Sequence, residues 1–292
     1  MEQRGELKSA VQALPSQAGI GLSNWNWKAV RRFVEDRFGL ALSRSSCLNY
    51  LHRLGFVLKR PKKRLLKADP ARREAFVREY AELKATAART GTKIFFADEA
   101  HFQADADLRG KWVLKGEPAL VGSTSPRRGE KVSYYSAVCL ETGEVAVMEL
   151  EGNSNAGTST AFLRQLRGQH PGPLIVIWDN SPAHRGDAIR AYLTTPNLNL
   201  HLVNLPSYSP DFNADEAIWG WVRQEATANQ CLGTRAAVRE RVGGFFTDLS
   251  QRRDAVKRRC RTVLQAKADE LIGDAQANPL RPANVDFTLA SV

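Results

Sequence analysis

Three acidic residues stand where predicted secondary-structure elements end or begin. Asp98 and Asp179 each follow a short apolar run, and Glu216 opens a predicted helix. In open α/β sheets, sites form beyond the carboxyl ends of neighbouring strands. Carboxylates gathered there can hold two divalent ions about 3.5–4 Å apart, which activate the attacking oxygen and stabilise the leaving oxygen of a phosphoryl displacement. Because hard oxygen ligands occur without a Cys or His cluster, Mg²⁺ is favoured, and Mn²⁺ can substitute.

Each acid also has an alternative interpretation. Glu99 could be the ligand in place of Asp98, and strand alternation puts their side chains on opposite faces, so that only one can point into a given site. Asp179 could belong to an ordinary turn with the three residues after it. Asn213 and Glu216 have the spacing of a helix capping box. The occurrence of all three acids at sheet ends nevertheless favours a catalytic site.

The elements that must position these acids form a mixed sheet with helices packed against it. A continuously apolar run before Asp179 predicts a strand buried on both faces, and a Gly-containing turn joins two strands into a hairpin. The predicted strands are 93–98, 132–140, 145–150, 174–178 and 198–206, and the predicted helices are 159–166, 187–193, 215–226, 235–249 and 253–271.

The chain is basic, and its excess charge lies in one segment. Between Lys28 and Arg73 there are 14 Lys and Arg against three acids, which equals the net charge of +11 of all 292 residues. A local basic block of this kind suits a polyanion, because each neutralised phosphate releases counterions. A merely solvated basic surface is the alternative.

The same segment has the pattern of a helix-turn-helix. Helical spacing ends at Gly39, Ser43 can cap a second helix with Cys47, Leu48, Leu51 and Leu54 facing inward, and Phe56–Leu58 is predicted as a short strand. Before residue 20 we expect an arm or a marginal helix. The second helix would meet DNA. The candidate DNA contacts are Arg44, Ser45, Asn49, Arg53, Lys59, Arg60, Lys62, Lys63 and Arg64.

Three sequence blocks resemble the signatures of DDE transposases of the mariner-like superfamily, and within it the bacterial insertion-sequence family numbered six-thirty. They are Phe96-Ala97-Asp98-Glu99-Ala100-His101-Phe102, Val176 to His184 with the pattern Asp-Asn-x-x-x-His, and Leu205 to Trp219 with the pattern Ser-Pro-x-x-Asn-x-x-Glu. The segment from Trp27 to Arg64 also resembles that family's winged helix-turn-helix.

The resemblance implies a ribonuclease H-like fold and a transposase that cleaves DNA at terminal inverted repeats and joins it to target DNA. Carried over, Asp98, Asp179 and Glu216 are the catalytic and metal-binding triad. Asn180, His184 and Asn213 support the site. The partners implied are double-stranded DNA and a second copy of the chain in the active complex.

The chain departs from the family pattern in two places. Ala214 replaces the usual proline, and Asp215 adds an acid that competes with Glu216 as the third ligand. Relatives commonly carry a further helix-turn-helix upstream, whereas about two dozen residues precede Trp27 here, so we expect an N-terminally truncated copy or a second reading frame.

These interpretations give a domain scheme and a location. We expect a DNA-binding segment at 1–68, a linker helix at 69–91, a catalytic domain at 92–275 and a tail at 276–292. The sequence has no apolar run long enough for a membrane span and no signal-peptide core. We therefore expect a cytoplasmic, nucleoid-associated protein without a membrane partner. The four cysteines form no CxxC pair, so they are expected to be free thiols.

Three other functions share some of these features. The run Asp98 to His101 spells the motif-II box of DEAH helicases, but no phosphate loop accompanies it, so no nucleotide cofactor is expected. A non-catalytic DNA-binding remnant of an insertion sequence would use the basic segment equally well. A ribonuclease H-type nuclease would fit the sheet and the carboxylates, although the Ser-Pro-x-x-Asn block favours transposition.

Overall fold

The computed structural model describes residues 2–59, 65–124 and 130–277. They divide into two compact units, one before residue 65 and one from Leu65 onward. Of the candidate DNA contacts, Arg60, Lys62, Lys63 and Arg64 lie outside the described residues, as do most of the predicted tail and residues 125–129.

Three helices build the N-terminal unit: α1 Glu2–Gln12, α2 Trp27–Phe38 and α3 Arg44–Arg53, with a short 3₁₀ helix at Pro15–Ala18. The predicted arm is a full helix, because Leu7 joins the buried cluster that Val30 and Phe33 of α2 form. Caps fix the helix ends as predicted. Ser43 accepts a hydrogen bond from the Ser46 amide, and α2 stops at Gly39 in a left-handed conformation.

Two local predictions in this unit are wrong. Leu48 does not face inward but is exposed, because it follows the buried Cys47 by one residue and so lies about 100° round the helix from the buried side. Phe56–Leu58 is not a strand, and Leu58 is 97% exposed. A strand needs a hydrogen-bonding partner, and the N-terminal unit has no other strand among its described residues.

The second unit contains one five-stranded sheet in the order β3-β2-β1-β4-β5. The strands are β1 Lys93–Gln103, β2 Lys131–Cys139, β3 Val145–Leu150, β4 Leu174–Trp178 and β5 Leu200–Asn204. β2 pairs antiparallel with β1 on one side and with β3 on the other. β4 pairs parallel with β1 and with β5. All five residues of β4 are buried, which confirms the strand predicted to be covered on both faces.

Helices cover both faces of this sheet. The helices are α4 Pro70–Thr90, α5 Ala156–Gln169, α6 Asp187–Leu193, α7 Asp215–Val222, α8 Arg235–Leu249, α9 Arg253–Arg259 and α10 Val263–Ala277. One core lies between the sheet and α4, α7, α8, α9 and α10, and a second lies between the sheet and α5 and α6. The helix expected as a linker, α4, therefore packs into a core, where Phe76, Val77 and Tyr80 are buried. Within the described residues, no helix is both long and apolar enough to cross a membrane.

Several element boundaries differ from the predicted ones, and two of the differences affect how the chain is arranged. β1 does not end at Asp98 but continues to Gln103, because its antiparallel pairing with β2 persists after β4 has ended. The helix predicted over 253–271 is two helices. The first helix ends at Arg259, with Cys260 as its C-cap. The Thr262 hydroxyl then accepts a hydrogen bond from the Leu264 amide at the start of α10.

Candidate active site

The three predicted acids lie around one cavity in the second unit. Asp98, Asp179 and Glu216 all line a space of about 500 Å³, together with the supporting residues Asn180 and Asn213. β1 pairs with β4 only as far as Phe96, and β4 ends at Trp178. The site thus opens where the central parallel strand stops. Asp98 lies beside the cavity because β4 stops pairing with β1 two residues before it, and not because β1 itself ends there.

Side-chain direction separates Asp98 from Glu99. Even-numbered β1 residues, such as Phe96 and Ala100, belong to the core beneath α7, whereas Phe95 and Ala97 face α5. Asp98 consequently lies on the α7 side, and Glu99 lies on the opposite side, as the alternation predicts. Glu99 does not line the cavity.

The carboxyl groups of the cavity repel one another. Burial raises the pKa of Asp98 well above its usual value, and the nearby Glu216 and Glu99 carboxylates raise it further. Burial also raises the pKa of Glu216, against the opposing charge of Arg223, and Asp179 adds to the rise. A divalent cation would relieve this repulsion, so the all-oxygen donor set fits Mg²⁺ or Mn²⁺. In the described part of the chain, no group of three or more His, Cys, Asp or Glu side chains is already arranged to hold a metal ion.

Asp179 is held differently from the other two acids. Its Oδ1 lies 2.8 Å from His184 Nδ1 and accepts a hydrogen bond of 2.8 Å from the Ser181 amide. Burial opposes ionisation, but these two donors lower the pKa of Asp179. Burial likewise opposes the charged form of His184, yet the Asp179 and Glu99 carboxylates raise its pKa to about 9. The contact between the two side chains therefore favours the charged form of His184 and the ionised form of Asp179.

Asp215 and Glu216 have separate surroundings. Asp215 is completely buried, receives a hydrogen bond of 2.5 Å from Ser136 Oγ, and does not line the cavity. Burial raises its pKa well above the usual value. Glu216, one residue further along α7, reaches the cavity. Of these two neighbouring acids, therefore, only Glu216 lies where it could contact a cation in the cavity.

The supporting residues tie the surrounding loops to the sheet. Asn213 donates to the Ala97 carbonyl at 3.1 Å and accepts from the Asp215 amide at 3.2 Å, which links the start of α7 to β1. The capping box that was the alternative interpretation of Asn213 and Glu216 does not form, because Ala214 is the N-cap residue of α7 and makes no side-chain cap. Asn180 donates to the Leu205 carbonyl at 2.6 Å and so joins the loops that follow β4 and β5.

Sequence reasoning did not single out two arginines near these acids. Arg185 lines the cavity and donates to Asn180 Oδ1 at 3.1 Å. Arg223 begins the π-helical turn Arg223–Thr227 directly after α7, and its guanidinium lies 5.4 Å from the centre of the Phe102 ring. Arg185 follows the Asp-Asn-x-x-x-His block by one residue, which is the only sequence signal for it, and Arg223 has none.

The described candidate DNA contacts lie on the surface of the N-terminal unit. Arg44, Ser45, Asn49 and Arg53 are exposed on α3, and Lys59 is exposed beyond it. α3 is therefore oriented with its polar side accessible and with Cys47 in the core. None of these side chains contributes to the cavity.

Comparison with known protein families shows to which family the chain belongs. Residues 93–239, half of the chain, match the family model described as DDE superfamily endonuclease, and they include all three acids of the cavity. The chain belongs to the DDE superfamily endonucleases. Residues 23–80 match a second model, described as winged helix-turn helix. The comparison with curated proteins gave no match.

Solved structures of the Mos1 transposase share the fold of this DDE endonuclease. The Mos1 strand transfer complex is 16% identical with a TM-score of 0.65, and the match covers 93% of this chain and 77% of that one. A Mos1 mariner paired-end complex with Mn is 17% identical with a TM-score of 0.61, over 91% and 78% of the two chains. The predicted ribonuclease H-like fold with an N-terminal helix-turn-helix segment is confirmed.

Proposed function

We propose that this DDE endonuclease is a transposase that cuts DNA at the ends of an insertion sequence and joins them to target DNA. The observation that carries the proposal is the meeting of Asp98, Asp179 and Glu216, from three separate elements, at one cavity within the matched family region. The Mos1 structures of the same fold were solved as a strand transfer complex and as paired-end complexes, one with Mn and one with Mg.

In this proposal the three acids bind the divalent ions. Bound ions would activate the attacking oxygen and stabilise the leaving oxygen of the phosphoryl transfer. Asp179 is kept ionised by His184, while Asp98 and Glu216 supply carboxylates whose repulsion a cation relieves. Arg185, at the same cavity, can donate to a phosphate oxygen of the DNA backbone. Asn180 and Asn213 keep the loops in place.

The N-terminal unit would bind DNA through α3. Arg44, Ser45, Asn49 and Arg53 share the exposed side of this helix, as expected for the second helix of a helix-turn-helix. Replacing Arg44 or Arg53 by alanine should reduce the slope of log affinity against log salt concentration by about 1 for each phosphate that the protein no longer neutralises. Joining two element ends further requires two copies of the chain in the active complex. We propose that the protein acts in the cytoplasm, in association with the nucleoid.

The test is metal-dependent nicking of DNA that carries the inverted repeats flanking the gene. Wild type should nick this DNA in Mg²⁺ or Mn²⁺, and Asp179→Ala should not. Asp254→Ala, which removes an exposed acid of α9 far from the cavity residues in sequence, is the matched control. Equal activity of wild type and Asp179→Ala, or no activity in either, would leave a DNA-binding remnant as the function. Preference for an RNA–DNA hybrid over duplex DNA would instead indicate a ribonuclease H-type nuclease.

A further inference from the structure

Glu99 is fixed in place although it does not line the cavity. Its Oε1 accepts hydrogen bonds of 3.4 Å from the hydroxyls of Ser154 and Ser181. Its Oε2 lies 3.1 Å from His184 Nε2. Two loops and one histidine therefore hold this carboxylate, and the histidine is the residue whose side chain also contacts the carboxylate of a predicted metal ligand.

The His184 ring is stacked on one face, and each of its nitrogens lies close to a carboxylate oxygen. Its side chain is 1% exposed and stacks on the Trp178 indole, with ring centres 4.2 Å apart and planes 3° from parallel. Nδ1 lies 2.8 Å from Asp179 Oδ1, and Nε2 lies beside Glu99. The ring cannot turn about its axis without breaking one of these contacts, so Glu99 contributes to the direction of Nδ1, together with the Asp179 carbonyl oxygen, which lies 3.1 Å from Nδ1.

The Asp179 carboxylate depends on this direction. Half of its side chain is exposed, so packing alone does not fix it. The contacts from His184 and from the Ser181 amide both engage Oδ1, and among the described residues no hydrogen bond engages Oδ2. The carboxylate is thus anchored through one oxygen, while the second oxygen is available to a cation at the cavity.

We propose that Glu99 is a positioning residue, which orients the Asp179 carboxylate for cation binding through the His184 ring. This inference rests on the proposed function, because it assumes that Asp179 binds the cation. Residues that orient metal ligands from behind typically change metal affinity 10- to 100-fold when they are replaced. Glu99, next to Asp98 in sequence, would then serve the site from the other face of β1.

The test measures Mn²⁺ affinity by electron paramagnetic resonance on the metal-freed full chain. Glu99→Ala should weaken Mn²⁺ binding roughly 10- to 100-fold, and Glu99→Gln, which keeps an acceptor for His184, should recover part of that loss. Glu149→Ala removes a strand glutamate of β3 that does not line the cavity and should bind like wild type. Melting curves identify any variant that does not fold, in which case Glu99→Gln and Ser154→Ala carry the comparison.

The outcomes separate the two proposals. If wild type binds Mn²⁺, Asp179→Ala abolishes that binding, and Glu99→Ala binds as tightly as wild type, then the positioning role is refuted and the proposed function stands. Equal loss in Glu99→Ala and Glu99→Gln would also refute positioning through a hydrogen-bond acceptor, in favour of a general charge effect. If wild type itself binds no Mn²⁺ through Asp179, both proposals fall.

A separate observation concerns Tyr208, which lies at the same cavity in a left-handed backbone conformation. Its φ is +59°, and the other non-glycine residues with positive φ in the described chain, Asn197, Asn199 and Asn229, are asparagines, which tolerate this region. Tyr208 is also 49% exposed, so burial of its ring does not account for the strained backbone. Strain of this kind is typically retained at functional sites.

The loop around Tyr208 is built to hold it. Pro206 and Pro210 restrict the backbone on either side, and Ser209 is buried beneath the loop. The Lys67 ammonium lies 5.8 Å from the centre of the tyrosine ring, and Arg185 lines the same cavity. An exposed aromatic ring with a cation nearby is suited to nucleic acid, because its face stacks on a base while the cation attracts a phosphate.

We infer that the Tyr208 ring stacks on a nucleobase displaced from the duplex beside the phosphate that is cut. This inference also rests on the proposed function, since a phosphate at the three carboxylates would bring its neighbouring nucleotide to the cavity margin. Stacking of one base on an aromatic side chain changes affinity roughly 5- to 150-fold.

The test is a double-mutant cycle between the ring and the base, measured as DNA affinity in Ca²⁺, a hard cation that takes oxygen ligands. Tyr208→Asn, which tolerates the backbone, should bind element-end DNA roughly 5- to 150-fold more weakly, and Tyr208→Phe should bind like wild type. An abasic site at the stacked position should weaken wild-type binding by a similar factor and leave Tyr208→Asn unaffected. Additive losses at every position flanking the cut would refute the stacking. Failure of wild type to prefer element-end DNA would instead count against the proposed function.

Discussion

Replacing Arg73 by lysine is expected to loosen the turn that leads to Asn213 and Glu216. Arg73 on α4 donates two hydrogen bonds to the Asp211 carboxylate, of 3.0 and 2.7 Å. Its guanidinium carbon lies 3.9 Å from the centre of the Phe212 ring, which is buried. One arginine therefore contacts two adjacent side chains of the 3₁₀ turn Pro210–Phe212, which is separated from α7 by Asn213 and Ala214.

The size of the effect follows from these contacts. A partly exposed ion pair contributes at most about 1 kcal/mol, and a cation over an aromatic face contributes about 0.5–2 kcal/mol. Lysine keeps the charge but loses the two-pronged hydrogen bond and the flat stacking surface. Arg73→Lys should then lower the free energy of unfolding by about 1.5 kcal/mol, which lowers the melting temperature of a unit this size by about 3–6 °C.

The assay is thermal unfolding of wild type, Arg73→Lys, Asp211→Asn and the double variant. We expect a coupling energy of about 0.5–1 kcal/mol between the two sites. Arg72→Lys is the matched control, because that neighbouring arginine is 79% exposed and makes only a 3.6 Å ion pair with Asp69. A loss in Arg73→Lys no larger than in this control, or fully additive losses in the cycle, would refute the reasoning.

Acid provides a second check on the same contact. The hydrogen bond from Arg73 lowers the pKa of Asp211. The stabilisation that this ion pair provides is therefore present above the usual aspartate pKa of about 3.9 and is lost as the pH falls through the lowered folded-state pKa. The difference between wild type and Arg73→Lys should shrink on acidification below about pH 4. A difference that stays constant down to about pH 2 would show that the carboxylate plays no part.

Three further predictions concern the site and its frame. Asp215→Asn should keep most DNA cleavage, because burial disfavours the charged form of this acid and an amide keeps an acceptor for Ser136, whereas Glu216→Gln should reduce cleavage on the order of 100-fold; the reverse order would make Asp215 the ligand. In metal-free buffer, Asp98→Asn should unfold at a higher temperature than wild type, by about 1 kcal/mol in stability, because it removes one of the repelling carboxyl groups. Gly143→Ala should cost about 3 kcal/mol or more, because its Cβ would lie 2.4 Å from a backbone oxygen of α9, while Gly91→Ala, with a similar positive φ but open space, should cost only about 1–2 kcal/mol; equal losses in melting experiments would contradict this.

The sequence predicts elements well where the residues themselves decide the structure. The five apolar residues of β4 have no polar face, so they must be covered on both sides, and all five are buried. Ser43 and Gly39 mark helix ends through their own chemistry, and both marks are correct. The end of β1 is different. Nothing in residues 98–103 determines where the strand stops, because the stop depends on how far β2 continues to pair with it.

The same distinction explains which parts of the site could be predicted. Parity along a strand is a local rule, and it correctly separates Asp98 from Glu99. The choice between Asp215 and Glu216 has no local rule, because adjacent helical residues point about 100° apart and only the rotation of α7 decides which one reaches the cavity. Long-range contacts fix that rotation. Asn213 donates to the Ala97 carbonyl on β1, 116 residues earlier in the chain, and Ile218, Trp219 and Val222 of α7 are buried in the core. The acid beside the cavity is thus selected by contacts with distant parts of the chain, which the local capping-box spacing of Asn213 and Glu216 could not reveal.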